Sequence, residues 1–360
     1  MIFSSDNWAG AHPAIAESLV ANAQGYASAY GTSELDRRVE QRFSEIFERD
    51  VAVFFVGTGT AANSLALSSA NRAGGIAFCH REAHVNVDEC GAPEFFSHGA
   101  RLCPVEGARG RMEPAKLEAE IRRLPRENVH GGQPMAVTLT QATESGTVYS
   151  LDQIETIGSI ARSHKLPLHM DGARFANALV SLGTTPAEMT WKRGVDLLSF
   201  GGTKNGCWCA EALVLFDLSK AQEMHFLRKR SAQLFSKSRF VAAQFDAYLA
   251  GDLWLDLARH ANAMAQPRRR HHRFGREPAC LGARCQRGLR RAETGGRGSA
   301  AAAGRAFLRL GSAARSRRQP RGRRRALSPG YQLRHPRRGR RPFRRRLLMR
   351  AARQISKRAA

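Results

Sequence analysis

Apolar residues along the first three quarters of the chain fall into short runs that alternate between two periods. VAVFFVG (51–57) is a continuous β-branched and aromatic run that stops at glycine, and TAANSLALSSANRAG (60–74) follows it with helical spacing and a glycine stop. The strand pattern returns at GIAFCH (75–80), RLCPV (101–105) and MAVTLTQ (135–141). LDQIETIGSIARSHK (151–165) puts Leu151, Ile154, Ile157, Ile160 and Ala161 on one face and reads as a helix. PLHMDGA (167–173), VDLLSFGG (195–202) and ALVLFD (212–217) read as further strands, with a helix over ARFANALVSLG (173–183). Residues 225–254 carry an amphipathic pattern that predicts one long helix. Strands alternating with helices predict an α/β fold with a mostly parallel central sheet covered on both faces. Ligands of such sheets sit beyond the carboxyl ends of the strands, which places Gly57–Thr60, Asp171 and the Ser199–Lys204 loop on one rim.

The periodicity stops near Gln266. Charge changes at the same place. The whole chain has 360 residues, 57 Lys and Arg, 31 Asp and Glu, and a net charge of +26. Residues 267–360 hold 31 of the basic residues and 2 of the acids, which leaves 26 basic and 29 acidic residues in 1–266. The basic character therefore belongs to the tail, and 1–266 has the balance of an ordinary soluble protein. The tail has no Val, Asp, Asn or Trp and only one Lys, Lys357. Two readings account for it. A basic tail binds polyanions non-specifically. A slip of the reading frame near codon 266 of a GC-rich gene turns GNC codons for Asp, Val, Ala and Gly into CGN codons for Arg, which explains the residues that are missing. No stretch reaches the ~18 apolar residues that cross a membrane. The start MIFSSDNWAGAHP has neither a basic nor an apolar signal region. The seven cysteines have no framework spacing, so a reduced, cytoplasmic protein is expected.

Four segments carry candidate chemistry. In VDLLSFGGTKNG (195–206), Lys204 lies just past a buried strand among small residues. A partly desolvated amine suits Schiff-base work, and the glycines let a planar cofactor lie close. A surface lysine in a glycine turn looks the same, and the P-loop spacing is not met. In PLHMDGARFANAL (167–179), Asp171 ends a strand and Arg174 opens a helix. A carboxylate there pairs with a protonated pyridine nitrogen, or caps the helix. In FFVGTGTAANSLAL (54–67), the glycine-rich turn before a helix makes an anion cradle with Gly59 and Thr60 as contacts, although a structural turn has the same form. In CHREAHVNVDECGAPE (79–94), His84 is placed to stack on an aromatic ring or to cap a helix. Cys207-Trp208-Cys209 lacks a second ligand pair for zinc, and no metal is expected.

The order of these signals, together with SSDNWAGAHP, AYG (29–31), TQATESGTVYS (140–150) and LRKRSAQLFSKSRFVAAQ, resembles the low-specificity threonine aldolases, fold-type-I pyridoxal-phosphate enzymes, over residues 2–265. The resemblance implies a fold-type-I large domain and a lyase that cleaves β-hydroxy-α-amino acids to glycine and an aldehyde. By this resemblance Lys204 carries the pyridoxal phosphate covalently and His84 stacks on its ring. Asp171 holds the pyridine nitrogen, Gly59 and Thr60 bind phosphate, and Lys237 reaches it. Ser5 and Arg174 orient the substrate carboxylate, and Tyr30 approaches the site of a neighbouring subunit in a homodimer or homotetramer. Where another branch of the family has a histidine, TQATES has Glu144, so the base that takes the hydroxyl proton is a water, His84 or Glu144. The implied organisation is an N-terminal segment (1–20), a cofactor-binding large domain (21–250), a helical linker (251–266) and an Arg-rich tail (267–360). The tail stands where the family has a small domain with a substrate-binding arginine, and nothing in 267–360 resembles that domain.

Overall fold

A computed structural model describes residues 5–269, with side chains through 264. The Arg-rich tail from 270 onward lies outside the described residues. In chain order the elements are α1 (Pro13–Ala21), α2 (Glu34–Ile46), β1 (Ala52–Val56), α3 (Gly59–Ser68), β2 (Gly75–His80), α4 (His84–Val87), α5 (Ala92–Phe96) and β3 (Arg101–Val105). They continue with α6 (Pro114–Arg122), β4 (Gln133–Thr140), α7 (Leu151–Ser163), β5 (Leu168–Gly172), α8 (Phe175–Leu182), α9 (Pro186–Met189), β6 (Leu197–Gly201) and β7 (Glu211–Leu215). Helices α10 (Ala221–Arg230), α11 (Arg239–Leu249) and α12 (Leu253–Arg269) complete the described chain.

The seven strands form one sheet in the order β1-β7-β6-β5-β4-β2-β3. All pairs are parallel except those of β7, which runs antiparallel to both β1 and β6. β5, β6 and β7 are buried along their whole length, which is why their sequences read as continuous apolar runs. Local signals start the helices. Ser33 with Asp36 and Ser150 with Gln153 form reciprocal capping boxes on α2 and α7, and the Thr58 side chain caps α3. An aromatic cluster fills the space between the sheet and α2, α11 and α12. Phe200 of β6 meets Phe43 at 5.1 Å, Trp254 at 5.7 Å and Phe245 at 6.0 Å. This packing anchors β6 just before the lysine turn.

The expected single helix over 225–254 is not what forms. α10 ends at Arg230, and Ala232 takes a left-handed φ of 62°. The Gln233 N–H then donates to Arg228 O at 3.0 Å, which closes the helix end. The released segment serves tertiary contacts: the Gln233 Oε1 accepts from the Gly57 N–H, and the Ser236 carbonyl accepts from the Tyr30 N–H. A second break falls at Gly251 and Asp252, both with positive φ, before α12. α1 joins the same body through a Ser18 hydroxyl bond to the Ala243 carbonyl on α11, and α12 buries Trp254 and Ala258.

Candidate active site

Strand register brings three turns together on the carboxyl rim. Asp171 of β5 lies opposite Thr140 of β4 and Ser199 of β6, and Gly201 at the end of β6 lies opposite Glu211 of β7. Glu211 is in turn opposite Val56, the last residue of β1 before the Gly57–Thr60 turn. Lys204 sits in the single 3-10 turn Thr203–Asn205 that follows β6. The turn is pinned by Asn205, whose Nδ2 donates to Tyr248 Oη at 2.6 Å and to the Trp254 carbonyl at 2.9 Å. Gly206 closes it with a φ of 108°. Burial, assisted by the Arg174 guanidinium, lowers the Lys204 ammonium from its ordinary range, while Asp171 is among the acids that oppose the shift. Lys204, in the turn after β6, and Asp171, near the end of the neighbouring strand β5, thus lie on one rim.

Asp171 is the centre of a hydrogen-bonded network. Its Oδ1 accepts from the Ala173 N–H at 3.0 Å, and its Oδ2 accepts from Asn63 Nδ2 at 2.9 Å. The same amide donates to Glu89 Oε1 at 2.8 Å, which is also 2.9 Å from His84 Nδ1. The backbone N–H of His84 donates to Glu144 Oε1 at 2.7 Å, so the residue is held at both its main chain and its ring. The Glu89 bond raises the His84 imidazole, and burial raises Glu89 and Glu144. Both members of the His84–Glu89 pair shift upward, so the pair keeps its proton to higher pH. Behind Asp171, His169 lies between Thr138 Oγ1 (2.8 Å) and Ser199 Oγ (2.9 Å), and burial pushes it down to about 4.

Gly59 and Thr60 are the first residues of α3, where N–H groups have no partner inside the helix. Arg174 is buried and clamps Asp6 with Nε at 2.6 Å and Nη2 at 3.1 Å. Ser5 caps the short turn Asp6–Trp8, its hydroxyl accepting from the Asn7 N–H. Two expected residues lie at the surface. Tyr30 is 49% exposed with the Lys229 ammonium 5.5 Å from its ring, and Lys237 is exposed in the 231–238 connection. Cys209 donates to the Gly57 carbonyl at 3.1 Å.

Fold and site together point to one group of proteins. Residues 3–280 match the family model described as Beta-eliminating lyase. The chain is 44% identical over 264 residues, 73% of its length and 76% of the relative's, to a protein named low specificity L-threonine aldolase from Pseudomonas sp. (strain NCIMB 10558). A Pseudomonas aeruginosa protein of the same name matches at the same identity and coverage. The chain belongs to the threonine aldolase family. Among solved structures, a Leishmania major threonine aldolase aligns with a TM-score of 0.69 and 28% identity, covering 73% of this chain and 76% of the other. A putative L-allo-threonine aldolase from Listeria monocytogenes, at 17% identity and a TM-score of 0.55, shares the fold.

The threonine aldolase fold implies pyridoxal phosphate, and the residues present fit it. The buried Asn63 Oδ1 and Glu89 Oε2 have no hydrogen-bond partner among the described residues, which marks polar space left for another group. A lysine with a lowered affinity for its proton, an aspartate on the same rim and a helix start are the donor set such a cofactor needs. The glycines beside Lys204 have a packing purpose as well. A Cβ on Gly201 would lie 2.7 Å from the Ala173 carbonyl, and one on Gly202 would lie 2.7 Å from the Ala210 carbonyl. They admit the neighbouring backbone of Ala173 and Ala210. Gly59 is different, with only Glu211 Oε2 near its missing Cβ, at 4.0 Å.

Asn63, Glu89, Asp6 and Glu211 were not singled out by the sequence reading. Asn63 and Asp6 lie inside stretches that carry the resemblance, so their signal was present but had no chemistry attached. Glu211 had a stronger sign, an acid opening an otherwise apolar strand.

Proposed function

We propose that the chain is a pyridoxal-phosphate-dependent aldolase that cleaves L-threonine, L-allo-threonine and related β-hydroxy-α-amino acids to glycine and an aldehyde. The observation that carries this reading is that Lys204 and Asp171 stand at the ends of neighbouring strands on the rim, with His84 linked to Asp171 through Glu89 and Asn63.

Lys204 would hold the cofactor covalently, Asp171 its ring nitrogen, His84 its ring face, and Gly59 and Thr60 its phosphate, with Lys237 in support. Bound there, pyridoxal phosphate supplies an electron sink for the pair released when the Cα–Cβ bond breaks. The protein's own part is positional and protonic. Two hydrogen bonds fix the Asp171 carboxyl in place, so its charge is preorganised. Arg174 and Ser5 would orient the substrate carboxylate, and Asp6 sets the plane of the guanidinium before substrate arrives. We assign the hydroxyl proton to His84: its Nδ1 is engaged by Glu89, which leaves Nε2 to take the proton, while Glu144 spends an oxygen on the His84 backbone. Burial of the rim keeps these groups in a medium where their charges act strongly.

The substrate is a small amino acid. Exposed Trp8, Tyr26 and Trp208 support assembly into a homodimer or homotetramer, with Tyr30 facing a neighbouring subunit. The cysteines among the described residues are unpaired and no described helix is long and apolar enough to cross a membrane, in keeping with a cytoplasmic location.

The test is the absorbance spectrum of the purified chain with pyridoxal phosphate. A visible band from cofactor bound to the protein is expected, and Lys204→Ala should abolish it; persistence of the band in that variant refutes the site. A β-elimination reading draws on the matched family description. Products separate the two, because cleavage of threonine releases glycine and acetaldehyde, whereas elimination releases ammonia and a keto acid.

A further inference from the structure

Glu211 opens β7 in the middle of the rim, in register with Gly201 on one side and Val56 on the other. Those two strands feed the Lys204 turn and the Gly57–Thr60 turn, so the carboxyl group stands between the lysine and the phosphate cradle. Its Oε1 accepts from the Thr203 N–H at 3.3 Å, and its Oε2 points to the Gly59 side, 4.0 Å from where a Cβ would begin. Every other residue of β7 is apolar, yet this acid is only 5% exposed. A buried carboxyl is costly unless it is paired, and a leucine would be the ordinary occupant of such a position.

The charged groups that act on Glu211 are Lys204, one residue beyond Thr203, and Asp171 from β5. In return the Cys207 and Cys209 thiols and the Tyr248 hydroxyl on α11 feel its charge. Of these, Lys204 alone is a cation.

We propose that Glu211 is the proton partner of Lys204, a positioning residue that accepts the proton the ammonium sheds when its nitrogen becomes a nucleophile and returns it when the amine is set free. Lys204 and Glu211 form no direct ion pair, so a water relays the proton: one Nζ–H bond breaks and one Oε–H bond forms, and the pair keeps a single proton and no net charge. Exchange within the pair therefore avoids leaving an isolated ion in the buried space. Burial pushes the Glu211 carboxyl up to about 7 while it pushes the Lys204 ammonium down, which brings the two groups toward each other in affinity for the proton. The inference rests on Lys204 being the cofactor lysine.

The experiment measures the rate at which the purified full-length chain captures pyridoxal phosphate across pH. Absorbance follows the capture, and the mass of the borohydride-reduced adduct confirms it. In Glu211→Gln the amide still accepts from Thr203 but carries no charge. Loss of that negative charge should lower the lysine's pKa and move the acid limb of the profile down by about one unit, with about tenfold faster capture on that limb. If the amide does not fold, Glu211→Leu gives the same expected shift without leaving a polar group unpaired on that side chain. An unmoved limb in a folded variant overturns the proposal and leaves Glu211 as a brace for the lysine turn. A uniform gain at every pH overturns it too, since that marks only weaker repulsion of the phosphate. No capture by the unaltered chain removes the assignment of Lys204, and the proposal with it.

Discussion

Asp171, His169 and Glu211 owe their properties to neighbours that no local window contains. His169 belongs to an apolar run, yet its ring nitrogens meet hydroxyls from β4 and β6, and burial holds the imidazole near 4. An unfolded histidine titrates near 6.5. Its folded pKa is lower, so between these values the unfolded chain binds more protons, and stability falls as pH drops from about 6.5 to about 4. The contribution is on the order of 3 kcal/mol and is fully present above pH 6.5. Urea titrations across this range should show the slope in the native chain and lose it in His169→Gln. An identical slope in the variant would assign acid sensitivity to other groups. The candidate lysine and aspartate were legible because their neighbours in sequence are small or apolar, which exposes the odd charged residue. Their partners Asn63 and Glu89 were not, since a polar residue in a helix or loop has no pattern that says what it faces.

Strands and helices were read with little error where burial is two-sided or strictly one-sided. β2, β3 and β5 coincide with the predicted runs to within a residue at each end, and α7 ends two residues early. Helices α1, α2, α6 and α9 were not predicted, α3 stops at Ser68 rather than at the glycine at 74, and two further features escaped. The antiparallel direction of β7 depends on a nine-residue return from β6, and apolar runs carry no direction. The break at 231–238 exists because Gly57 and Tyr30 need hydrogen-bond partners from it, a demand that overrides amphipathic spacing. Glycines beside the lysine act at this same scale. Gly201→Ala places a Cβ within 2.7–2.9 Å of three backbone atoms of Ala173, which cannot rotate away. Destabilisation of about 1–3 kcal/mol is expected from such overpacking. Chemical denaturation checks this, and a neutral effect would show that β5 and β6 can separate at the rim without cost.

Over the whole molecule, charge is divided between two regions of different character. Residues 1–266 are near neutral, while 267–360 carry 31 basic residues against 2 acids. The family match reaches residue 280, and the identity to the Pseudomonas relatives spans 73% of the chain. So cationic a tail should bind polyanions through counterion release, with affinity that falls steeply as salt rises. Retention on heparin should therefore be strong at low salt, and a chain ending at 266 should flow through. Equal retention of the shortened chain would place the basic surface elsewhere. Such binding needs no base contacts and adds no sequence preference.

The amino-acid sequence by itself determined the α/β class, the position of nearly every strand, and the lysine and aspartate at strand ends, because each of these is written in local periodicity or in a single charged residue among apolar ones. Tertiary structure alone decided the strand order, the reversed β7, the Asn63–Glu89–His84 chain and the place of Glu211 between two turns. Such contacts join residues far apart in the chain: Asn63 and Glu89 are 26 positions apart, and Phe55 and Ala212, each one position from the Val56–Glu211 pair, are 157 apart. Hydrophobic burial fixes which face of an element points inward, but only packing of all the elements together decides which buried polar groups meet.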